Sequence, residues 1–169
     1  CAVHQQTQRT YALAMGRGTR RDALVLLDSN LRVVATVDAA DSDQAIVGVA
    51  VHGDQVIVLT GTGHPKGSGL QLLDLDGRFL RTIAARGFRG PEVVAASHGR
   101  VFVVDDVDDD GEDIAKMLHV IDIQSGDSLQ TVSFELEGVS AIVVDGDEIY
   151  IAGFAAGQLV VLQLAGSEA

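Results

Sequence analysis

The acidic run 105-DDVDDDGEDIAK-116 places Asp106, Asp108 and Asp110 on alternate residues ahead of Gly111, with Asp113 two residues further on. Carboxylates in D-x-D-x-D-G spacing can converge on one Ca²⁺, and the glycine allows the sharp turn that brings a following carbonyl round to the ion. The spacing therefore nominates Asp106, Asp108, Asp110 and Asp113 as calcium ligands. The alternative is a solvated acidic hairpin tip, extended by its own repulsion.

Other reactive side chains are dispersed. His52 and His98 read as repeat-equivalent turn residues, His64 lies in the glycine-rich 61-GTGHPKGSG-69, and His119 falls in an apolar run. None has the H-x-H or H-E-x-x-H spacing of a zinc site. The glycine-rich stretch lacks a G-K-[ST] ending and a following helix, so it reads as a hairpin loop and not as a phosphate cradle. No nucleophile elbow occurs. No catalytic residue is nominated.

Cys1 is the single cysteine, which excludes an internal disulfide and Cys-rich metal motifs. The net charge of −12 argues against nucleic acid, which needs clustered Lys and Arg, and favours a cation or a basic protein patch. No run reaches the ~20 apolar residues of a membrane helix. At 169 residues the chain is long enough to bury a substantial core, and Val, Ile, Leu and Ala dominate its apolar fraction.

These residues must be positioned by short strands, because the sequence repeats. The segments 47-VGVAVHGDQVIVLTG-61, 92-EVVAASHGRVFVVDD-106 and 139-VSAIVVDGDEIYIAG-153 each join two apolar runs through a turn glycine, and Gly53, Gly99 and Gly146 fall 46 and 47 residues apart. A second strand pair follows, as in 70-LQLLDLDGRFLRTIA-84 and 118-LHVIDIQSGDSLQTVSF-134. A period of this length built only from strands predicts β-propeller blades. The fold class is all-β, with about 3.5 four-stranded blades over roughly 10–38, 46–84, 92–134 and 139–165, forming a partial ring or part of a larger propeller. Fourteen strands are expected, and residues 1–9 read as an N-terminal tether. Asp28, Asp74 and Asp122 recur at one position of the third strand, where they would hydrogen-bond the backbone of the outer hairpin.

Units two and three resemble NHL-type repeats, in 47-VGVAVHGDQVIVLTG-61 with 70-LQLLDLDGRFLRTI-83 and in 91-PEVVAASHGRVFVVDD-106 with 118-LHVIDI-123. The resemblance covers about half the chain, and the family's usual Asn near the third strand is absent. The acidic loop is similar to the calcium loops of EF-hands and some integrin-like propellers, except that its twelfth position is Met117 and its ninth Ile114. A chain opening on Cys resembles a mature bacterial lipoprotein, which implies acylation of Cys1 and an extracytoplasmic, membrane-anchored location. Together these imply a non-enzymatic scaffold, without nucleic acid, that binds protein partners in a membrane-associated assembly. The alternative reading is a calcium-dependent propeller hydrolase of lactonase type.

Overall fold

The computed structural model describes residues 1–14, 22–38, 45–61, 68–84, 87–107, 115–155 and 157–164. Fifteen strands occur among them, in four antiparallel sheets that follow chain order. The first sheet holds β1 (Ala2–His4), β2 (Arg9–Ala14), β3 (Ala23–Leu27) and β4 (Val33–Asp38). The second holds β5 (Ala45–His52), β6 (Gln55–Gly61), β7 (Gly69–Asp74) and β8 (Phe79–Ala84). The third holds β9 (Gly90–Ser97), β10 (Arg100–Asp106), β11 (Ala115–Asp122) and β12 (Ser128–Glu135). The fourth holds β13 (Val139–Asp145), β14 (Glu148–Gly153) and β15 (Leu159–Gln163). Each sheet is a meander. Successive first strands pack on one another, β1 on β5, β5 on β9 and β9 on β13, so they lie innermost and the sheets radiate as the blades of a four-blade, propeller-like arrangement.

One expectation is corrected here. Residues 1–9 do not form a tether: Ala2, Val3 and His4 pair with Tyr11, Thr10 and Arg9, so the first blade supplies its own innermost strand and has four strands, not three. The polar composition of 5-QQTQ-8 is that of the hairpin turn, with Gln8 at φ 54°.

The two-residue inner hairpins meet their turn requirement in two ways. Gly53 and Gly146 alone take positive φ at the first central position, as a type II′ turn demands, whereas His98 and Gly99 are both positive, as in type I′. His98 is therefore a turn residue, while His52 ends β5 opposite Gln55 and accepts a hydrogen bond at Nε2 from the Gly99 amide of the next blade, 3.1 Å away. The two histidines are not register equivalents.

Three apolar clusters hold the blades together. Tyr11, Leu24 and Leu26 of the first blade meet Val49, Val56 and Val58 of the second. Ile57, Leu59, Leu70 and Leu72 meet Val101, Val103 and Ile121 of the third. Phe102, Val104, Leu118 and Val120 meet Ile149, Ile151 and Val139 of the fourth. Blades two and three are covered on both faces, which is why 56-VIVL-59 and 101-VFVV-104 are buried at successive positions. β15 alternates between exposed and half-buried residues, as a strand covered on one face does. Polar contacts lock neighbours at the rim. Tyr11 Oη and Arg9 Nη1 donate to the Leu75 carbonyl across the first junction, at 3.0 and 2.6 Å, and Arg81 donates to the Ile123 carbonyl across the second. At Gly126, φ 79°, an added Cβ would sit 2.4 Å from the Ile83 carbonyl oxygen, so the third blade's outer hairpin presses directly on the backbone of the second.

Candidate functional site

The outer hairpins are built as expected from their aspartates. Asp28 Oδ1 accepts from the Asn30 and Arg32 amides, Asp74 Oδ1 from those of Asp76 and Arg78, and Asp122 Oδ1 from those of Gln124 and Ser125, at 2.7–2.9 Å. The Ser125 amide, with that of Gln124, holds the Asp122 carboxyl below the usual carboxylate range.

These hairpins deliver a feature the sequence reading missed. In each of the first three blades the register of strands three and four slips by one residue just after the hairpin, between Leu26 and Leu27, Leu72 and Leu73, and Val120 and Ile121. The residue left without a cross-strand partner is Val34, Leu80 and Leu129 respectively, one per blade at the same structural position. A bulge re-aims its extra side chain, and these three apolar residues are 54, 50 and 52% exposed. Val33 and Phe79 beside them are also exposed. Leu31 extends the row. It occupies the hairpin position that Gly77 and Gly126 fill in the next two blades, donating its amide to Asp28 as they do to Asp74 and Asp122. Its φ is 60°, a left-handed conformation unfavourable for a side-chain-bearing residue, and it is 69% exposed. Edge strands of soluble proteins are ordinarily blunted by charge or proline, so a repeated apolar row along three outer strands is a surface suited to protein contact. Burying the exposed half of one such side chain on a partner contributes about 1 kcal/mol.

A second polar arrangement lies in the third blade. Lys116, on β11, places Nζ 3.0 Å from Asp106 Oδ2 and 3.3 Å from Glu92 Oε1, and its side chain is buried. Glu92 lines an axial cleft of about 350 Å³, with Leu13, Val49 and Ala141 contributed by the other blades. Burial pushes the Glu92 carboxyl above its ordinary range, and Lys116 opposes that rise only in part. The Lys116 ammonium is shifted upward: desolvation works against it, and the two carboxylates outweigh desolvation. The two directions differ because Lys116 has two anionic partners, whereas Glu92 has one cation and a second carboxylate, Asp106, nearby. Asp105 is buried and caps the entry to β9, accepting from the Arg89 and Gly90 amides at 2.9–3.0 Å. His119 packs edge-on against Phe88 at 5.3 Å, with Nε2 3.6 Å from Asp105 Oδ2, beyond hydrogen-bond distance.

Of the nominated calcium ligands, Asp108, Asp110 and Asp113 lie outside the described residues, and Asp106 ends β10 in its pairing with Lys116. Cys1 is exposed beside β1. Among the described residues no group of three or more His, Cys, Asp or Glu is arranged to hold a metal, and no helix is long and apolar enough to cross a membrane.

No family model and no curated protein matches the chain. Solved structures do. BamB from Moraxella catarrhalis superposes with a TM-score of 0.60 at 21% identity, over 96% of this chain and 45% of that one. A chain of a nidogen/laminin complex gives 0.58 at 16%, over 90% and 55%. The acylaminoacyl peptidase of Pyrococcus horikoshii gives 0.54 at 10%, over 87% and 28%. At such identities the likeness establishes a β-propeller-like fold. The chain spans about half the length of the first two.

Proposed function

We propose that this chain is a non-enzymatic scaffold of NHL-type blades that binds a protein partner along its outer rim, in an extracytoplasmic assembly anchored to a membrane by acyl chains on Cys1. The observation that carries the reading is the row Val34, Leu80 and Leu129, the residue expelled at the same hairpin-proximal slip in each of the first three blades, extended by a leucine held at a strained hairpin position. Strain tolerated at an exposed apolar side chain points to a contact made elsewhere, since nothing in the chain's own core gains from it. The similarity to a chain of a nidogen/laminin complex supports protein binding as a use of this architecture. The exposure of Cys1 leaves its thiol open to acylation, and two or three chains at about 0.8 kcal/mol per buried methylene give stable anchoring. The acidic run 105-DDVDDDGEDIAK-116 adds a candidate Ca²⁺ site in which Asp106 would be shared with Lys116.

A photo-crosslinking residue placed at position 34, 80 or 129 in cells tests the rim, with position 54, an exposed non-glycine residue of an inner hairpin, as control. Adducts at the three rim positions and none at the control are expected. Equal labelling at all four overturns the rim assignment. Intact mass spectrometry of the native protein reads acylation of Cys1 directly, and an unmodified terminus in a chain absent from membranes overturns the anchor.

A further inference from the structure

We propose that the two outermost blade faces bind a second copy of this chain, the fourth blade of each copy docking on the first blade of the other, so that two four-blade arcs close into one two-fold ring. The repeat register carries the inference. In the second blade the side chains pointing to the next blade are Ala50, Ile57, Leu59, Leu70 and Leu72, all buried. Their equivalents in the third blade, counted from the inner hairpin, are Ala95, Phe102, Val104, Leu118 and Val120, which pack on the fourth. The same positions in the fourth blade are Val143, Tyr150, Ala152, Leu159 and Val161. They have the composition of a blade junction, yet Val143, Leu159 and Val161 are 51–61% exposed.

The matching half of a junction is also present. The first blade turns Tyr11, Leu24 and Leu26 toward the second blade, and by alternation along the strands it turns Thr10, Ala12, Val25 and Leu27 the other way. None of these four belongs to any of the three apolar clusters. Each copy thus carries one free face of each polarity, and a two-fold pairing satisfies both at once, with no open end to propagate a fibre. Leu80 and Leu129, on the second and third blades, lie on neither face, so labelling there separates the partner-binding reading from the pairing.

Sedimentation equilibrium of the 169-residue chain tests the proposal. A species of twice 17.7 kDa is expected, tightening as salt screens the repulsion between two copies of charge −12. Val161→Lys on the fourth blade and Ala12→Lys on the first should each weaken dimerisation roughly 30-fold or more, the effect of losing a buried anchor. Circular dichroism and thermal unfolding show whether each variant is folded. An equimolar mixture of the two should pair more tightly than either alone, because one sound junction survives in the mixed dimer. A monomer at about 100 μM, the outcome if these faces instead take further blades of a longer polypeptide or a different protein, overturns the proposal. So does a dimer abolished by Val161→Lys but untouched by Ala12→Lys, which means like faces pair. Open-ended assemblies overturn the closure.

Discussion

Phe102 and Tyr150 occupy the same place in successive blades, the middle strand's residue that points to the next blade, and only one of them has a next blade within this chain. Phe102 is 1% exposed among Ile149 and Ile151, while Tyr150 lies half-buried on an open face with its hydroxyl donating to Glu148 at 2.5 Å. Register and alternation are the same in both. A residue's position in the repeat fixes the direction of its side chain, and whether that side chain contributes to stability depends on what stands opposite.

The largest test of this contrast is truncation at the two positions. Phe102→Ala should cost about 3–5 kcal/mol in urea unfolding, and Tyr150→Ala under about 1 kcal/mol at protein concentrations low enough to keep the chain monomeric. Equal losses would mean that the fourth blade's open face is already covered within one copy. Second comes Lys116, which shares the third blade with Phe102 but is held by charge. Lys116→Met leaves Glu92 and Asp106 facing each other without their cation, and a loss of about 2–4 kcal/mol is expected in the same measurement.

Smaller and of opposite sign is Leu31→Gly. Gly relieves the left-handed backbone that Gly77 and Gly126 adopt freely at this position, so the variant should gain about 0.5–1 kcal/mol of stability while labelling of a partner from position 34 falls. Stability lost on this change would show the leucine serving the fold, not the rim. The smallest effect is at Glu92. Burial raises its carboxyl above the ordinary 4.5, so the folded state holds the proton more tightly than the unfolded chain does. Stability from this group therefore starts to fall as pH rises past about 4.5 and is fully lost above the raised folded value. Glu92→Gln should flatten that part of the pH–stability curve and change stability near neutrality by under about 1 kcal/mol. An unchanged slope would place the titrating group elsewhere.

Much of the fold was legible because its signals are local. The glycine spacing marked the hairpins, the uninterrupted runs 56-VIVL-59 and 101-VFVV-104 marked blades covered on both faces, and the recurring aspartates marked the outer turns they cap. β1 was not legible: three residues before a polar turn carry too little pattern to distinguish a strand from a tether, and only pairing with Thr10 and Tyr11 defines it. The bulges were not legible either, since Val34, Leu80 and Leu129 read as ordinary strand residues until the slip in register is seen. The Lys116 pairing crosses from β11 to β10 and β9, joining residues 24 apart in sequence, with no spacing rule to announce it.

Sequence by itself determined the strand periodicity, the turns and the stacking of like units, because alternation of side chains and the φ preferences of Gly act within a few residues of one another. Which of several equivalent apolar positions is buried and which faces solvent, and which residue a bulge expels, were decided only in the tertiary structure. Burial depends on a neighbour brought in from far along the chain, and a one-residue slip in pairing leaves no trace in composition.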